Sequence, residues 1–277
     1  MTMIDSLFLY PLKSGRGIAL ETAEVCPTGL QSAGARDREW LIVNPRGRFL
    51  TQRTHPKLAT ITATPLHARQ GLRLQAPGCD AMDVAIPQPS THAAVQIEIW
   101  QKPAQAIDAG DAAAVWLSQL LGEPVRLVHA GAGTARLANQ AYTGPQEVPL
   151  LFPDGYPILV CNRASLDDIN GQLPSPIPMQ RFRPNIVIAG LDAWAEDRIA
   201  AVQIGALRLR LVKPCERCII PSLDQTSGLP GVDPTPVLKR QRFNPTLRAV
   251  TFGENAIVDP PGQYTIRRGD AVTVAFD

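Results

Sequence analysis

The sequence predicts a mainly β fold with a few short helices, arranged as two β-barrel-like domains. Its 277 residues exceed what one ordinary domain needs and leave little room for three. Proline, with 26 residues, and glycine, with 21, are frequent, which favours many short elements joined by turns over a helical bundle. Short β-rich runs outnumber helical patterns, and strands do not alternate regularly with helices. A doubly wound parallel fold is therefore not expected.

The elements of the first half follow from local composition. Runs rich in β-branched and aromatic residues predict strands at 4–10, 18–25, 40–43, 58–64, 72–75 and 95–100. Asn44, Pro45 and Gly47 suit the positions of a type I turn. A helix is predicted over 110–121, because Asp111 can cap it and Gly122 can end it.

The second half repeats this pattern after a small, polar, glycine-containing stretch at 130–148, which we interpret as a loop between domains. Strands are predicted at 158–161, 185–188, 207–212, 264–267 and 272–276, with a short helix at about 162–171. We therefore expect a first domain over residues 1–125 and a second over residues 126–277.

Charge and cysteine content limit the classes of function. The net charge of only +2 gives no global field for nucleic acid or an anionic membrane, so a bound anion needs a local site. No stretch approaches the roughly 20 apolar residues of a membrane helix. Five cysteines without a signal peptide indicate a reduced, cytoplasmic protein rather than a disulfide framework.

Three basic segments are candidates for an anion site. Lys13 and Ser14 lie in a Pro- and Gly-containing loop after the first predicted strand, which forms either an anion site or an ordinary basic hairpin loop. Alternating charges at 36–39 usually stay solvated, although Arg38 could also present a fork to a phosphate. Pro184 should hold Arg183 extended, so that Arg183 and Asn185 project to the same side.

The fourth candidate is the Cys-x-x-Cys of Cys215 and Cys218. A zinc site needs four ligands and the chain has no second such pair. A thioredoxin-like pair needs a helix at the motif, which Pro221 prevents from extending far. The remaining possibilities are a reactive or metal-ligating thiolate, with Lys213 and Arg217 nearby to stabilise it, and buried structural cysteines.

Together these segments resemble a known family. The motifs are Tyr-Pro-Leu-Lys-Ser-x-x-Gly at 10–17, Arg-Asp-Arg-x-Trp-Leu at 36–41, Phe-Arg-Pro-Asn-Ile-Val-Ile at 182–188, Cys-x-Arg-Cys-Ile at 215–219, 224–228, Phe-Gly-x-Asn at 252–255 and Ile-x-x-Gly-Asp at 266–270. In this order they resemble MOSC-domain proteins with an N-terminal MOSC β-barrel, especially the mitochondrial amidoxime-reducing component and its bacterial relatives.

The resemblance implies a molybdenum cofactor of the molybdopterin type, bound between the two β domains. By similarity Cys218 would be the metal-ligating thiolate, whereas Cys215 matches a position not known to bind metal. The residues that would contact the cofactor by the same similarity are Lys13, Ser14, Arg38, Gly155, Tyr156, Arg183, Asn185, Glu216, Arg217 and Asn255. Glu216 and the Pro221-Ser222 pair depart from the animal pattern, so substrate preference is not carried over.

The implied activity is reduction of N-hydroxylated compounds such as amidoximes, hydroxylamines and N-hydroxylated bases, as in detoxification. No cysteine follows Cys218, so we expect no iron–sulfur cluster in this chain. Electrons would come from a separate ferredoxin-like protein or flavin reductase, and neither nucleic acid nor a membrane is an expected partner. Two alternatives stay open: a sulfur carrier with a persulfide on Cys218, and a cofactor-binding protein without turnover.

Overall fold

The structure, a computed structural model, describes residues 1–131 and 133–276. Within them, 22 strands and four α-helices confirm the predicted mainly β class. The strands of the first half are β1 Met3–Leu9, β2 Ile18–Leu20, β3 Thr22–Cys26, β4 Gly29–Ser32, β5 Ala35–Arg36, β6 Trp40–Val43, β7 Thr62–Pro65, β8 Gly71–Gln75, β9 Met82–Ala85, β10 Ala94–Ile99, β11 Lys102–Asp108 and β12 Arg126–His129.

The second half contains the longest strands. They are β13 Arg136–Leu137, β14 Pro149–Leu150, β15 Ile158–Asn162, β16 Ile186–Ala189, β17 Ile199–Ile204, β18 Leu207–Glu216, β19 Phe243–Asn244, β20 Ala249–Val258, β21 Tyr264–Arg267 and β22 Thr273–Phe276. The α-helices are α1 Asp111–Leu121, α2 Gln140–Thr143, α3 Arg163–Asn170 and α4 Thr235–Gln241, and short 3₁₀ turns cover Pro56–Thr60, His67–Arg69, Met179–Phe182, Ala195–Arg198 and Ile220–Ser222. None of the described helices is long and apolar enough to cross a membrane.

The largest sheet joins the two ends of the chain. Its strand order is β2-β1-β16-β15-β20-β18-β17-β22, with β19 added beside β20. A bridge between Met3 and Ala271, together with the Val272 N–H bond to the Thr2 carbonyl, curls this sheet back towards β1. Aliphatic side chains such as Leu7, Val160 and Ile186 fill its interior. A second β-rich unit contains the sheet β10-β11-β12-β6 and the meander β7-β8-β9.

The predicted two-domain boundary at 125/126 stays a prediction, although the structure adds a feature that the sequence did not suggest. β1 pairs with β16, and β21 pairs with β3, so strands from the two ends of the chain share sheets. The stretch predicted as a loop, 130–148, contains β13 and α2, and its Ala132 lies outside the described residues.

Several predicted elements differ in detail. The strand predicted at 58–64 begins as a 3₁₀ turn because Pro56 fixes the first turn, and only Thr62–Pro65 pairs in a sheet. The strand predicted at 18–25 breaks into two after Leu20. The helix predicted at 110–121 is present, with Gly122 left-handed at its end, but Asp111 does not cap it. Gly110 occupies the cap position, and Asp111 instead accepts a 2.9 Å bond from Arg126.

Candidate functional site

One cavity of about 720 Å³ collects all the residues that the sequence singled out. Its wall includes Lys13, Ser14, Arg38, Gly155, Tyr156, Arg183, Asn185, Glu216, Arg217, Cys218 and Asn255. A volume of this size is typical of a small-molecule or cofactor site. The sequence-based set is therefore brought together, whereas the role of each residue toward a ligand stays a prediction.

The large sheet explains why residues far apart in the sequence meet. Five neighbouring strands, in the order β1, β16, β15, β20 and β18, carry or adjoin all of these residues except Arg38. Lys13 and Ser14 follow β1, while Asn185 directly precedes the antiparallel β16. Tyr156 lies just before β15, which runs parallel to β16. Loops that are distant in sequence therefore leave this sheet next to one another.

The loop after β1 places the buried Lys13 side chain in an ion pair with a more exposed carboxylate. The backbone N–H of Lys13 donates to the Trp40 carbonyl at 2.8 Å, and Ser14 turns the chain with a left-handed φ of 66°. The Lys13 ammonium donates to the Phe152 carbonyl at 2.8 Å and lies 2.6 Å from Asp154 Oδ1. Burial lowers the pKa of Lys13, while Asp154 opposes this shift. This ammonium faces the cavity with one carboxylate as its partner.

Two guanidinium groups share one aromatic ring. The Arg38 and Arg183 guanidinium carbons each lie 4.4 Å from the centroid of the Tyr10 ring. Burial, and then the like charge of Arg38, lower the pKa of Arg183 to about 10. Two guanidinium groups, each only partly exposed, lie beside one ring and favour an anion in the cavity they line.

Asp37 is a buried carboxylate that contacts Tyr10, Arg38 and Asn185. The expectation that the charged side chains at 36–39 are solvated is wrong for two of them. Asp37 is 1% exposed and Glu39 is 2% exposed. Asp37 Oδ1 accepts from the Tyr10 N–H at 2.9 Å and from Asn185 Nδ2 at 3.0 Å, while Oδ2 pairs with Arg38. Such burial is possible because each carboxylate has cationic or N–H partners.

Asn185 lines the cavity and also takes part in the hydrogen bonds around Asp37. Its Oδ1 accepts from the Leu159 N–H at 3.1 Å and from Arg38 at 3.3 Å. The predicted extended conformation of Arg183 is wrong: its φ of 58° and ψ of 45° are left-handed. The 3₁₀ turn before it closes with the Arg183 N–H on the Gln180 carbonyl, and its guanidinium donates to the Gly15 carbonyl at 2.6 Å. These contacts reverse the chain at Arg183.

The two cysteines of the Cys-x-x-Cys occupy different environments. Cys218 is exposed and lies two residues beyond the end of β18. Cys215 is half-buried, and burial raises the pKa of its thiol. The expected cationic support falls on the other cysteine, because Arg217 Nη1 lies 3.0 Å from Cys215 Sγ and Lys213 pairs with Glu216. Cys218 is therefore the accessible thiol at the cavity.

The charge balance of the wall favours an anionic ligand. Six cationic side chains line the cavity, namely Lys13, Arg38, Arg53, Arg183, Lys213 and Arg217, against the carboxylates of Asp154 and Glu216. Across residues 1–131 and 133–276, no three His, Cys, Asp or Glu side chains are grouped as a metal site. One accessible thiol among cations fits an anionic group that brings most of its metal's ligands with it.

Sequence reasoning missed Trp100, which lines the cavity and has the Arg53 guanidinium carbon 4.7 Å from its ring centroid. The Trp100 indole N–H donates to Asp154 Oδ1 at 3.0 Å. Trp100 and Gln101 both have left-handed φ angles and form the tight turn between β10 and β11. Glycine or asparagine usually marks such a turn, so the composition gave no signal and placed Trp100 in a strand.

Comparisons with known proteins are consistent with this picture. Residues 1–124 match the MOSC N-terminal beta barrel domain and residues 147–273 match the MOSC domain. The chain is 32% identical to mitochondrial amidoxime-reducing component 1 of Homo sapiens, over 97% of this chain and 82% of that protein. It is 31% identical to mitochondrial amidoxime reducing component 2 of Homo sapiens, over 82% of this chain and 68% of that protein.

Proposed function

The chain belongs to the family of MOSC-domain proteins with an N-terminal MOSC β-barrel domain, and we propose that it is a molybdenum-cofactor-dependent oxidoreductase. Its substrates in this proposal are N-hydroxylated compounds such as amidoximes and hydroxylamines. The names of its relatives support this reaction class, because both human proteins are called amidoxime-reducing components. The observation that carries the proposal is the cationic cavity with one exposed cysteine at its edge.

The residues of the cavity divide into two groups in this proposal. Lys13, Ser14, Arg38 and Arg183 hold the phosphate end of the cofactor, because cations and a hydroxyl are suited to bind a dianion. Cys218 supplies the thiolate to the metal, and a metal ligand of this kind is deprotonated. The remaining wall contacts are Gly155, Tyr156, Asn185, Glu216, Arg217 and Asn255. The bound cofactor would supply the two electrons that cleave the N–O bond.

The protein's own groups prepare the site for this ligand. Asp37 and the Tyr10 ring fix the two guanidiniums before any ligand arrives, which lowers the conformational cost of binding. The Cys215 thiol is held on Arg217 and stays protonated at neutral pH, so it does not compete with Cys218 as a thiolate. Residues 1–125 would supply Lys13, Ser14 and Arg38 to the phosphate side of the site, and residues 126–277 would supply Arg183 and the cysteine.

Two further features belong to the proposal. Electrons come from a separate carrier, either a ferredoxin-like protein or a flavin reductase. A cytoplasmic location is supported by five free cysteines, although the relatives compared above are named mitochondrial.

The decisive experiment compares Cys218→Ala with Cys215→Ala, using protein produced in cells that make the molybdenum cofactor. We expect near-stoichiometric molybdenum in the wild type and in Cys215→Ala, and its loss in Cys218→Ala. The same preparations are tested for reduction of benzamidoxime and hydroxylamine by a reduced viologen dye. Retention of molybdenum by Cys218→Ala contradicts the ligand assignment. A persulfide on Cys218 without bound molybdenum, detected by mass spectrometry, supports a sulfur carrier instead.

A further inference from the structure

Ile219 lies between the cavity-lining residues Cys218 and Ile220, and the basic segment 239–248 directly precedes the lining residue Ala249. We propose that the exposed side chains of Ile219, Phe243, Lys239, Arg240 and Arg248, called the rim below, form the docking surface for an acidic electron-transfer protein. The proposal rests on the function above, since only a reductase fed from outside needs such a surface. Beyond that function, the proposal specifies where the electron donor binds and that the donor's binding surface is negatively charged.

Several exposed apolar side chains lie at the cavity or next to residues that line it. Among the described residues, ten large apolar side chains are exposed. Trp100 lines the cavity itself, Ile219 lies between the lining residues Cys218 and Ile220, and Tyr142 contacts the lining residue Lys213. Ile219 is 60% exposed and Phe243 is 55% exposed. Apolar side chains rimmed by polar ones mark interaction sites more often than scattered single residues do.

The sheet places Phe243 close to Cys218. Phe243 on β19 pairs with Val250 on β20. The Val250 carbonyl accepts a 2.9 Å bond from the backbone N–H of Arg217, the residue before Cys218. With strands about 4.8 Å apart, the Phe243 backbone lies about 10 Å from that of Arg217. A protein seated on Phe243 therefore also covers the edge of the cavity at Cys218.

The segment 239–248 carries four cations and no carboxylate. Arg242 already has a partner, since its Nη2 donates to both carboxylate oxygens of Asp197, at 2.7 and 2.5 Å. Lys239, Arg240 and Arg248 are exposed, and they form no salt bridge with any residue that the structure describes. Three free cations beside an exposed aromatic ring are complementary to an acidic surface.

The chemistry of the donor follows from the reaction. Reduction of one hydroxylamine group consumes two electrons and two protons and gives an amine and water, so a one-electron donor such as an iron–sulfur protein must be oxidised twice for each turnover. Complexes of this kind are small and short-lived, and charge steers their association. A small acidic iron–sulfur carrier is therefore the partner class that fits this rim.

The test uses the cofactor-loaded protein and a reduced acidic [2Fe–2S] ferredoxin as the probe. The variant Lys239→Glu/Arg240→Glu/Arg248→Glu reverses the patch, and Arg267→Glu is a matched control on the exposed strand β21. Phe243→Ala is compared with Phe276→Ala, because Phe276 has a similar exposure of 53%. Affinity for ferredoxin is measured by calorimetry at several salt concentrations. Hydroxylamine reduction is measured with ferredoxin and with a reduced viologen dye.

We expect the triple variant to bind ferredoxin at least tenfold more weakly, with a shallower dependence on salt. Phe243→Ala should lose several-fold in affinity, whereas both controls and all viologen-driven rates should stay within about twofold of the wild type. The docking proposal is overturned if wild type does not bind ferredoxin, if the triple variant binds it equally well, or if Arg267→Glu weakens binding as much. Absence of viologen-driven activity in the wild type contradicts the proposed function and leaves the binding comparison valid.

Discussion

Replacing Asp37 by asparagine should remove the charge on which Arg38 depends. The Asp37 side chain is 1% exposed and that of Arg38 is 13% exposed, so water replaces little of the lost interaction. The carboxylate also accepts from the Tyr10 N–H and from Asn185. An asparagine side chain has nearly the same shape, but its NH2 group cannot accept a hydrogen bond, so one of the groups that donate to Asp37 would lose its acceptor. Removing one partner of a buried pair typically costs 3 to 5 kcal/mol. Because Arg38 borders the cavity and water can partly reach it, we expect Asp37→Asn to lower the free energy of unfolding by about 3 kcal/mol, the low end of this range.

The assay is urea unfolding at pH 7, followed by circular dichroism. Arg38→Gln and the double variant complete a double-mutant cycle, in which we expect a coupling of about 2 kcal/mol between the two residues. Glu39→Gln is the comparison variant, because Glu39 is equally buried but pairs with Arg36 away from the cavity. A cost below about 1 kcal/mol for Asp37→Asn, or no coupling to Arg38, would refute the account of this network.

Three further predictions concern stability. Gly253→Ala should destabilise the protein by about 2 kcal/mol or more in thermal unfolding, because the added Cβ would lie 2.5 Å from Cys161 Sγ and the residue has a φ of +74°. Gly155→Ala is the control and should be neutral, because the space around Gly155 is open. Tyr10→Phe should be neutral or stabilising by about 1 kcal/mol in the same measurement, because the buried hydroxyl has no hydrogen-bond partner among the described residues; a clear loss would reveal one. Burial alone would raise the pKa of Glu39, but His129 and Arg36 hold it below its ordinary value, so its contribution is present above about pH 4.3 and is lost as the pH falls through the lower folded value. Urea titrations between pH 6 and pH 3 should therefore show a smaller acid-induced loss in Glu39→Gln than in the wild type.

The sequence was most informative where a local rule acts alone. The helix α1 lies between two glycines, and both its type and its end were predictable from that composition. The site residues were predictable as a set because several short motifs occur in family order, and four of these motifs place a cation or a thiol near the end of a strand. Their meeting in one cavity could not be derived from spacing, because it depends on the pairing of β1 with β16.

Tertiary contacts overrode local rules at the remaining positions. β20 has ten residues and is buried over most of its length, yet Gly253, Glu254 and Asn255 in its middle hide the strand pattern. The charges at 36–39 seemed suited to solvent, because nothing in the sequence shows that Tyr10 and Asn185 would surround Asp37. The left-handed conformation of Arg183 likewise depends on the Gly15 carbonyl, which is 168 positions away.

The charge of the whole chain and that of the cavity can now be reconciled. A net charge of +2 is compatible with six cations on one wall because 25 carboxylates across the chain nearly balance its 27 basic side chains. At the cavity, Lys13 pairs with Asp154, Arg38 pairs with Asp37, and Arg183 donates to the uncharged Gly15 carbonyl. A bound phosphate would compete with Asp154, which is largely exposed, far more easily than with the buried Asp37. We therefore expect Lys13 to exchange its partner if a phosphate binds, while Arg38 and Arg183 remain against the Tyr10 ring.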